Sequence, residues 1–576
     1  MLYYTLSCEN PNTQLLKIEL LIENIETETV ELQLAAWRPG RYELQNFAQN
    51  LLSMSIRGQY EKRVSFEKIT KDRWLVQVPP SRTLQVTYYY YAHQMDAGGT
   101  WADQTQLYVN PVTCLFAVAG RENEACEVRL NLPQHWQIAT GMQQTGKHTL
   151  QAKSYDELAD CPFIASGSLQ HQSYQVQGHT FHIWFQGECA PDWPRVLHDF
   201  ERFTRVQLEL FGEFPVPEYH FLFQMLPYSH YHGVEHSNST VCTLGPAEKL
   251  MEPALYKEFL GVSSHELFHT WNVKKMRPAE MVPYDFSKEN YFRTGYVAEG
   301  VTTYYGDVLL ARAGVFSEEQ YLNELHTLFR KYFDNHGRHN QPVADASFDT
   351  WLDGYKPGIP NRKTSIYVNG AMAAFILDLL IRKETEGAKN LDDVMRLLWQ
   401  KFGSGEIGYS VEDYRAAAET VAGTSLEQYF RELINGKVPH EFYLENLLPV
   451  IGCELKIEHS KFVHESVFGF RTEQKEGKTL VTAIAPGSAA EMHLSLDDHL
   501  IAINGRQLDN NLNLLLQQSG RCELTLFRNR YLHTILLEPN GRFFYQQYTV
   551  GKLTDASETQ KKEYRKWLYG GDRTTD

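Results

Sequence analysis

The stretch SSHELFHTWN, residues 263–272, sets His265 and His269 four apart in an apolar run, with Glu266 beside the first. On a helix, residues four apart project from one face, so both imidazoles can meet one cation, while Glu266 lies about 100° round the helix, within reach of a water on that cation. A catalytic zinc takes three protein ligands and an open fourth position for water, so this reading needs a third ligand. An H-E-x-x-H string also arises by chance on ordinary buried helices, and its surroundings must decide. Thirty residues on, Glu299 stands between apolar neighbours in YVAEGVTTYYGD (296–307). A carboxylate on an apolar helix face is costly without a partner. Glu299 either salt-bridges a neighbour or completes a two-histidine, one-glutamate metal set; Gly300 and Thr303 beside it suit a close helix approach or ligand orientation.

The chain around this motif has 576 residues, 43% hydrophobic and 22% charged, in the globular range and too long for a single core. Its formal net charge of -16 leaves no basic footprint for nucleic acid or an anionic membrane. The N-terminus lacks a basic segment followed by an apolar one, and no uninterrupted apolar run of about 18 residues follows, so a cytoplasmic address without a membrane is expected. Eight cysteines are scattered singly with no C-x-x-C pair, which fits reduced thiols and argues against a cysteine-bound zinc site.

Residues 1–165 read as an all-β domain: LLKIELLIEN, VELQLAAW and TLQVTYYYYAH alternate apolar and polar positions between polar turns. Residues 166–450 mix strands (HTFHIWFQG, YHFLFQML) with a charged helical run. Helical periodicity then takes over from about 250, with a helical lobe at about 311–450. Short strands return within 451–545, a small β-rich module, and the polar residues 546–576 are expected to form a short surface helix and a frayed tail. No repeat of 20 to 50 residues is present.

HELFHTWNVKKMRP followed by YVAEGVTTYYGD, together with AAWRPGRYELQNFAQN at residues 35–50, resembles the glycyl aminopeptidase family of gluzincin zinc metallopeptidases over nearly the whole chain. The resemblance implies a multidomain α+β chain: an N-terminal all-β domain, a thermolysin-like catalytic domain with a helical lobe, and a C-terminal PDZ domain. It implies one zinc ion per chain, held by His265, His269 and Glu299, with Glu266 as the catalytic base. Hydrolysis of a peptide bond builds charge on the carbonyl oxygen, so a donor should face the metal. Tyr367 in SIYVNGAMAAFILDLL is similar in position to the tyrosine of the Y-x-K-G-A stretch in related zinc aminopeptidases, with Asn369 in place of lysine; Tyr355 in DGYKPG is the alternate.

An aminopeptidase also needs a carboxylate for the substrate's α-ammonium. HYHGVEHSNST (230–240) resembles the G-x-M-E-N exopeptidase loop, with Gly233 allowing backbone approach and Glu235 binding the amine, although His236 and Ser237 stand where the wider pattern has asparagine. His230, His232 and His236 alternate as a second metal site would require, but loop histidines are more simply solvated or hydrogen-bonded. VFGFRTEQ (467–474) and TAIAPGSAAEMHLSLDDHLIAINGR (482–506) resemble a PDZ domain, with Phe468, Gly469 and Phe470 as the loop whose amides meet a peptide C-terminus. HLSLDDHL departs from the usual A-G-L-x-x-G-D, leaving peptide binding and a purely structural role both open. The expected activity is removal of glycine or alanine from peptides with a free N-terminus. An endopeptidase on the same site, or a PDZ-bearing binding protein on a non-catalytic peptidase scaffold, are the alternatives.

Overall fold

The computed structural model describes residues 1–58, 63–356, 358–517 and 520–571. In the N-terminal domain, Leu15–Ile22 turns Leu16, Ile18, Leu20 and Ile22 inward and pairs antiparallel with both Leu2–Ser7 and Leu84–Tyr91. Burying each such side chain contributes about 1.5–3 kcal/mol. A one-residue slip would bring Lys17 and Glu19 inside instead, which fixes the register. These strands belong to a seven-stranded sheet that shares one core with two four-stranded sheets.

The catalytic region starts with a five-stranded mixed sheet in the order Gln170–Val176, His179–Gln186, Glu218–Met225, Ser239–Gly245, His230–Glu235. The middle three strands run parallel. Parallel neighbours need a crossover, and the helix Trp193–Phe211 supplies the first one, capped by Asp192 and ended by Gly212 at φ +83°. His230–Glu235 is an edge strand. The helix Pro253–Phe268 packs against it and against Ser239–Gly245.

Behind this helix lie Thr302–Arg312 and Val368–Glu384, drawn together by glycines. A Cβ on Gly306 would stand 3.3 Å from His265 Cβ, and one on Gly300 would stand 2.4 Å from Gly370 Cα. Side chains at Gly300 or Gly370 would push apart the backbone segments that carry Glu299 and Tyr367. Further helices, among them Glu318–Asp334, Leu391–Phe402 and Val411–Ala422, start on capping boxes and extend the same core.

After the helical region, Cys453–Glu458 pairs with Gln547–Lys552, and a small β module with its own core lies between them in sequence. The helix Glu558–Tyr569 corrects the expectation of a surface helix: Trp567 and Leu568 are fully buried in the catalytic core, and Trp567 Nε1 donates to Tyr304 Oη at 3.1 Å. Its apolar residues Tyr564, Trp567 and Leu568 form a single stripe that a polar average conceals. The expected frayed tail falls on 572–576, outside the described residues.

The loop expected to be PDZ-like lies within this module. Phe468 and Phe470 are buried in the module's core, and the amides of Phe468 and Gly469 already donate to the carbonyls of Val463 (3.3 Å) and Glu465 (3.2 Å). The short helix Val463–Ser466 brings those carbonyls to the amides that a terminal carboxylate would need. All eight cysteines are unpaired thiols. Among the described residues no helix is long and apolar enough to cross a membrane.

Candidate metal centre and active site

His265 and Glu266 lie in the last turn of the helix Pro253–Phe268, with His269 at its C-cap. The Nε2 atoms of His265 and His269 are 3.0 Å apart, and Glu299 Oε2 is 3.4 Å from His269 Nε2 and 4.0 Å from His265 Nε2. Metal–ligand bonds of about 2.0–2.2 Å in a tetrahedral site imply ligand separations of roughly 3.3 Å, so the three atoms fit one cation. His269 and Glu299 are buried, while His265 is partly open to the cleft.

The electrostatics also call for a cation. Burial opposes charge on His269, yet Glu299, Glu235 and Glu266 outweigh it and raise its pKa to about 10. Burial, then His269, pushes His265 well below the usual histidine range. Glu266 is pushed well above the carboxylate range by burial, opposed by His269 and reinforced by Glu235 and Glu299. Three carboxylates crowd two imidazoles, an imbalance that a divalent ion would relieve.

The backbone holds this set firmly. His269 Nδ1 lies 2.8 Å from the Asn272 carbonyl, which fixes the ring and leaves Nε2 for a metal. Asn272 Nδ2 in turn donates to the Val297 carbonyl (2.9 Å) and to Thr302 Oγ1 (3.0 Å), tying the turn after the His helix to the segment bearing Glu299. That segment, Tyr296–Val301, is π-helical, a local widening common at functional sites.

Glu235 ends the edge strand His230–Glu235 and is 3% exposed. Ligand atoms of Glu235, Glu266 and His269 lie within 4.8 Å of one another. Glu235 Oε1 and Glu266 Oε2 are buried and have no hydrogen-bond donor among the described residues. A Cβ on Gly233 would lie 2.2 Å from Glu266 Oε1, so this glycine makes room for the Glu266 carboxylate.

The profile of the M61 peptidase N-terminal domain matches residues 3–167, and that of the M61 glycyl aminopeptidase matches residues 258–373, spanning the His helix and Glu299. The two M61 matches thus fall on the N-terminal β domain and on the segment that carries the metal centre. The chain is a metallopeptidase. A crystal structure of an aminopeptidase N family protein from Idiomarina loihiensis aligns with a TM-score of 0.89 at 25% identity, over 99% of this chain and 100% of that one. An M1 zinc metallopeptidase from Deinococcus radiodurans aligns at a TM-score of 0.48 and 16% identity, over 76% of this chain and 94% of that one. A mutant of that enzyme bound to a Tyr-Ser-Ala substrate aligns at 0.46 and 16%, over the same shares. No curated protein matches.

Beside this centre the two tyrosines singled out from sequence meet. Tyr367 immediately precedes the helix Val368–Glu384, and its hydroxyl is 3.4 Å from that of Tyr355. Burial, then Glu299, raises both phenol pKa values, so both hydroxyls stay protonated donors. Asn369, in the place of the lysine, has its Oδ1 accept from the Ser365 amide and closes the turn before that helix.

His230, His232 and His236 do not join in any group of metal-ligating side chains among the described residues. A third such group, His182, Glu218 and His220, lies on a sheet face away from the cleft, and there His220 Nδ1 already accepts from Trp184 Nε1.

Sequence reasoning missed the N-terminal domain's part in this site. Tyr42 Oη donates to Glu299 Oε1 at 3.0 Å, and the Tyr42 amide reaches the Tyr355 hydroxyl at 3.4 Å. A Cβ on Gly40, which sits at φ +79°, would lie 2.5 Å from Glu235 Oε2. Only a left-handed glycine lets the backbone lie on that carboxylate. The signal was the stretch RPGRY (38–42) itself, a glycine and a tyrosine in a turn between strands.

Proposed function

We propose that the chain is a zinc aminopeptidase that removes small N-terminal residues, glycine or alanine first, from peptides with a free N-terminus. One zinc ion would be held by His265, His269 and Glu299. When bound, the ion polarises the scissile carbonyl and lowers the pKa of water at its open position. Glu266 takes a proton from the attacking water and returns it to the departing amine, a task suited to a carboxylate whose pKa burial raises above the usual carboxylate range. A tyrosine hydroxyl, from Tyr367 or its neighbour Tyr355, donates to the oxyanion.

The observation that carries the exopeptidase reading is Glu235. Its Oε1 is buried without a donor beside Glu266 and His269, and an α-ammonium is the group that would complete it. The carboxylate also blocks a peptide that continues past that point. Free-amine and N-acetylated Gly and Ala peptides should differ sharply in kcat/KM, and equal cleavage of the two would favour the endopeptidase alternative. Glu266→Gln should keep its zinc and lose cleavage; unchanged cleavage would sink the mechanism, and a wild-type chain that binds zinc but cleaves no peptide would favour the binding-protein reading.

The module between Cys453–Glu458 and Gln547–Lys552 we read as PDZ-like and structural. Its loop amides are occupied, and Arg471 forms a bidentate pair with Asp334 at 2.7 and 3.0 Å, bracing the module against the catalytic domain. Eight unpaired thiols favour a reducing, cytoplasmic compartment.

A further inference from the structure

Unlike Glu299, which Tyr42 aims, Glu235 has no side-chain hydrogen-bond partner among the described residues, so its orientation must come from the chain around it. The next two residues are held from outside the catalytic domain. Asp160, at the C-cap of the N-terminal domain's helix Tyr155–Ala159, accepts from His236 Nδ1 at 3.2 Å and from the Ser237 amide at 2.9 Å. It also takes the ammonium of Lys274 at 2.7 Å, and the Lys274 side chain is only 1% exposed. Lys274 is tied to the metal helix through its own amide, which donates to the His269 carbonyl at 3.0 Å.

One buried carboxylate therefore links the end of Glu235's strand to the end of the His helix. Burial would disfavour its charge, but Lys274 and His236 overcome this and hold Asp160 far below the usual carboxylate range. Asp160 is thus ionised across the physiological range. The imidazole of His236, where the wider motif has asparagine, is turned to Asp160 rather than left to the cleft.

We propose that Asp160 is a positioning residue for the amine site: through His236, Ser237 and Lys274 it sets Glu235 at the distance from the metal ligands that admits one residue with a free α-ammonium. The proposal rests on the aminopeptidase reading of Glu235. Glycine hydroxamate and acetohydroxamate differ by the amine alone, so the ratio of their inhibition constants against the zinc-loaded full chain reports that site.

In Asp160→Asn the preference for glycine hydroxamate should fall at least tenfold, with acetohydroxamate inhibition changed less than threefold. A merely structural role would weaken both inhibitors alike and leave the ratio in place, which overturns the proposal. Glu235→Ala in the same assay separates the failures. If it abolishes the preference while Asp160→Asn retains it, positioning by Asp160 is wrong and the aminopeptidase reading stands; if Glu235→Ala retains the preference, the amine role of Glu235 falls and the proposal with it. Should Asp160→Asn not accumulate as folded protein, His236→Ala cuts one of the three bonds, and a preference equal to wild type there overturns the proposal as well.

Discussion

Tyr42→Phe tests whether the N-terminal domain belongs to the metal centre. The ring of Tyr42 packs against Phe292, with centroids 4.9 Å apart, and is 1% exposed, so the substitution keeps the packing and removes only the hydroxyl that donates to Glu299 Oε1 at 3.0 Å. Burial and then Glu299 keep that phenol protonated, so it donates at every working pH. A hydrogen bond to a charged group contributes about 1.5–3 kcal/mol. At 1.4 kcal/mol per tenfold, the whole of it would be about 10- to 150-fold in affinity. The bond also ties the N-terminal domain to the segment bearing Glu299, so part of the loss appears as stability and part as zinc affinity. The expected weakening of zinc binding is thus near the lower end, about tenfold, within the range usual for groups that orient a metal ligand. Competition with a chromophoric chelator measures it. Tyr88→Phe is the control: its hydroxyl donates to the Cys114 carbonyl at 2.7 Å inside the same domain's core, far in sequence and structure from the metal ligands. It should cost stability and leave zinc affinity unchanged. If Tyr42→Phe binds zinc as tightly as wild type, within twofold, the hydroxyl does not support Glu299 and the reasoning fails.

Asp307, on the helix that follows Glu299, has its carboxyl raised to about 7 by burial, then by Glu324, against Lys257 and Lys331. An acid raised in the folded state binds more protons folded than unfolded between about pH 4 and 7, so its contribution is present at low pH and is lost as pH rises through that window. Asp307→Asn should remove that slope, raising stability by about 2 kcal/mol at pH 8 once partial exposure is allowed for, with little change at pH 4. An identical pH profile for variant and parent in thermal unfolding would contradict the assignment. Trp567→Ala should cost about 3–5 kcal/mol in urea unfolding, because it empties a fully buried site and strips Tyr304 of a donor; a cost below about 1 kcal/mol would mean that the C-terminal helix is only a surface feature.

What the sequence revealed was local. His265, Glu266 and His269 share one turn of a helix, Glu299 announces itself as a lone acid among apolar neighbours, and Glu235 follows a glycine on a short alternating strand. Each signal needs only the period of its own element. Tyr42 and Glu299 lie 257 residues apart, and Asp160 and Lys274 lie 114 apart. No periodicity carries such pairings; they exist only once a β domain and a helical domain have packed. The helix Glu558–Tyr569 differs from its expected surface position for a related reason, since its polar composition describes the face left in solvent and Tyr564, Trp567 and Leu568 describe the buried one. At Phe468–Phe470 the letters gave the loop's resemblance but not whether its amides were free, which depends on carbonyls four and five residues upstream.

These long-range pairs give the N-terminal domain a definite place in the chemistry. The proposed metal ligands and Glu266 come from the catalytic region alone, and a fragment lacking residues 1–165 would keep all of them in sequence. It would lack the donor on Glu299, the backbone at Gly40 that lies against Glu235, and the Asp160 carboxylate that neutralises the buried Lys274. Without Asp160, Lys274 and the Ser237 amide would lose the carboxylate that joins the end of the His helix to the end of Glu235's strand. Such a fragment would therefore be expected to lose stability at the metal helix itself, so the domain that contributes no metal ligand is still required to keep the ligands in place.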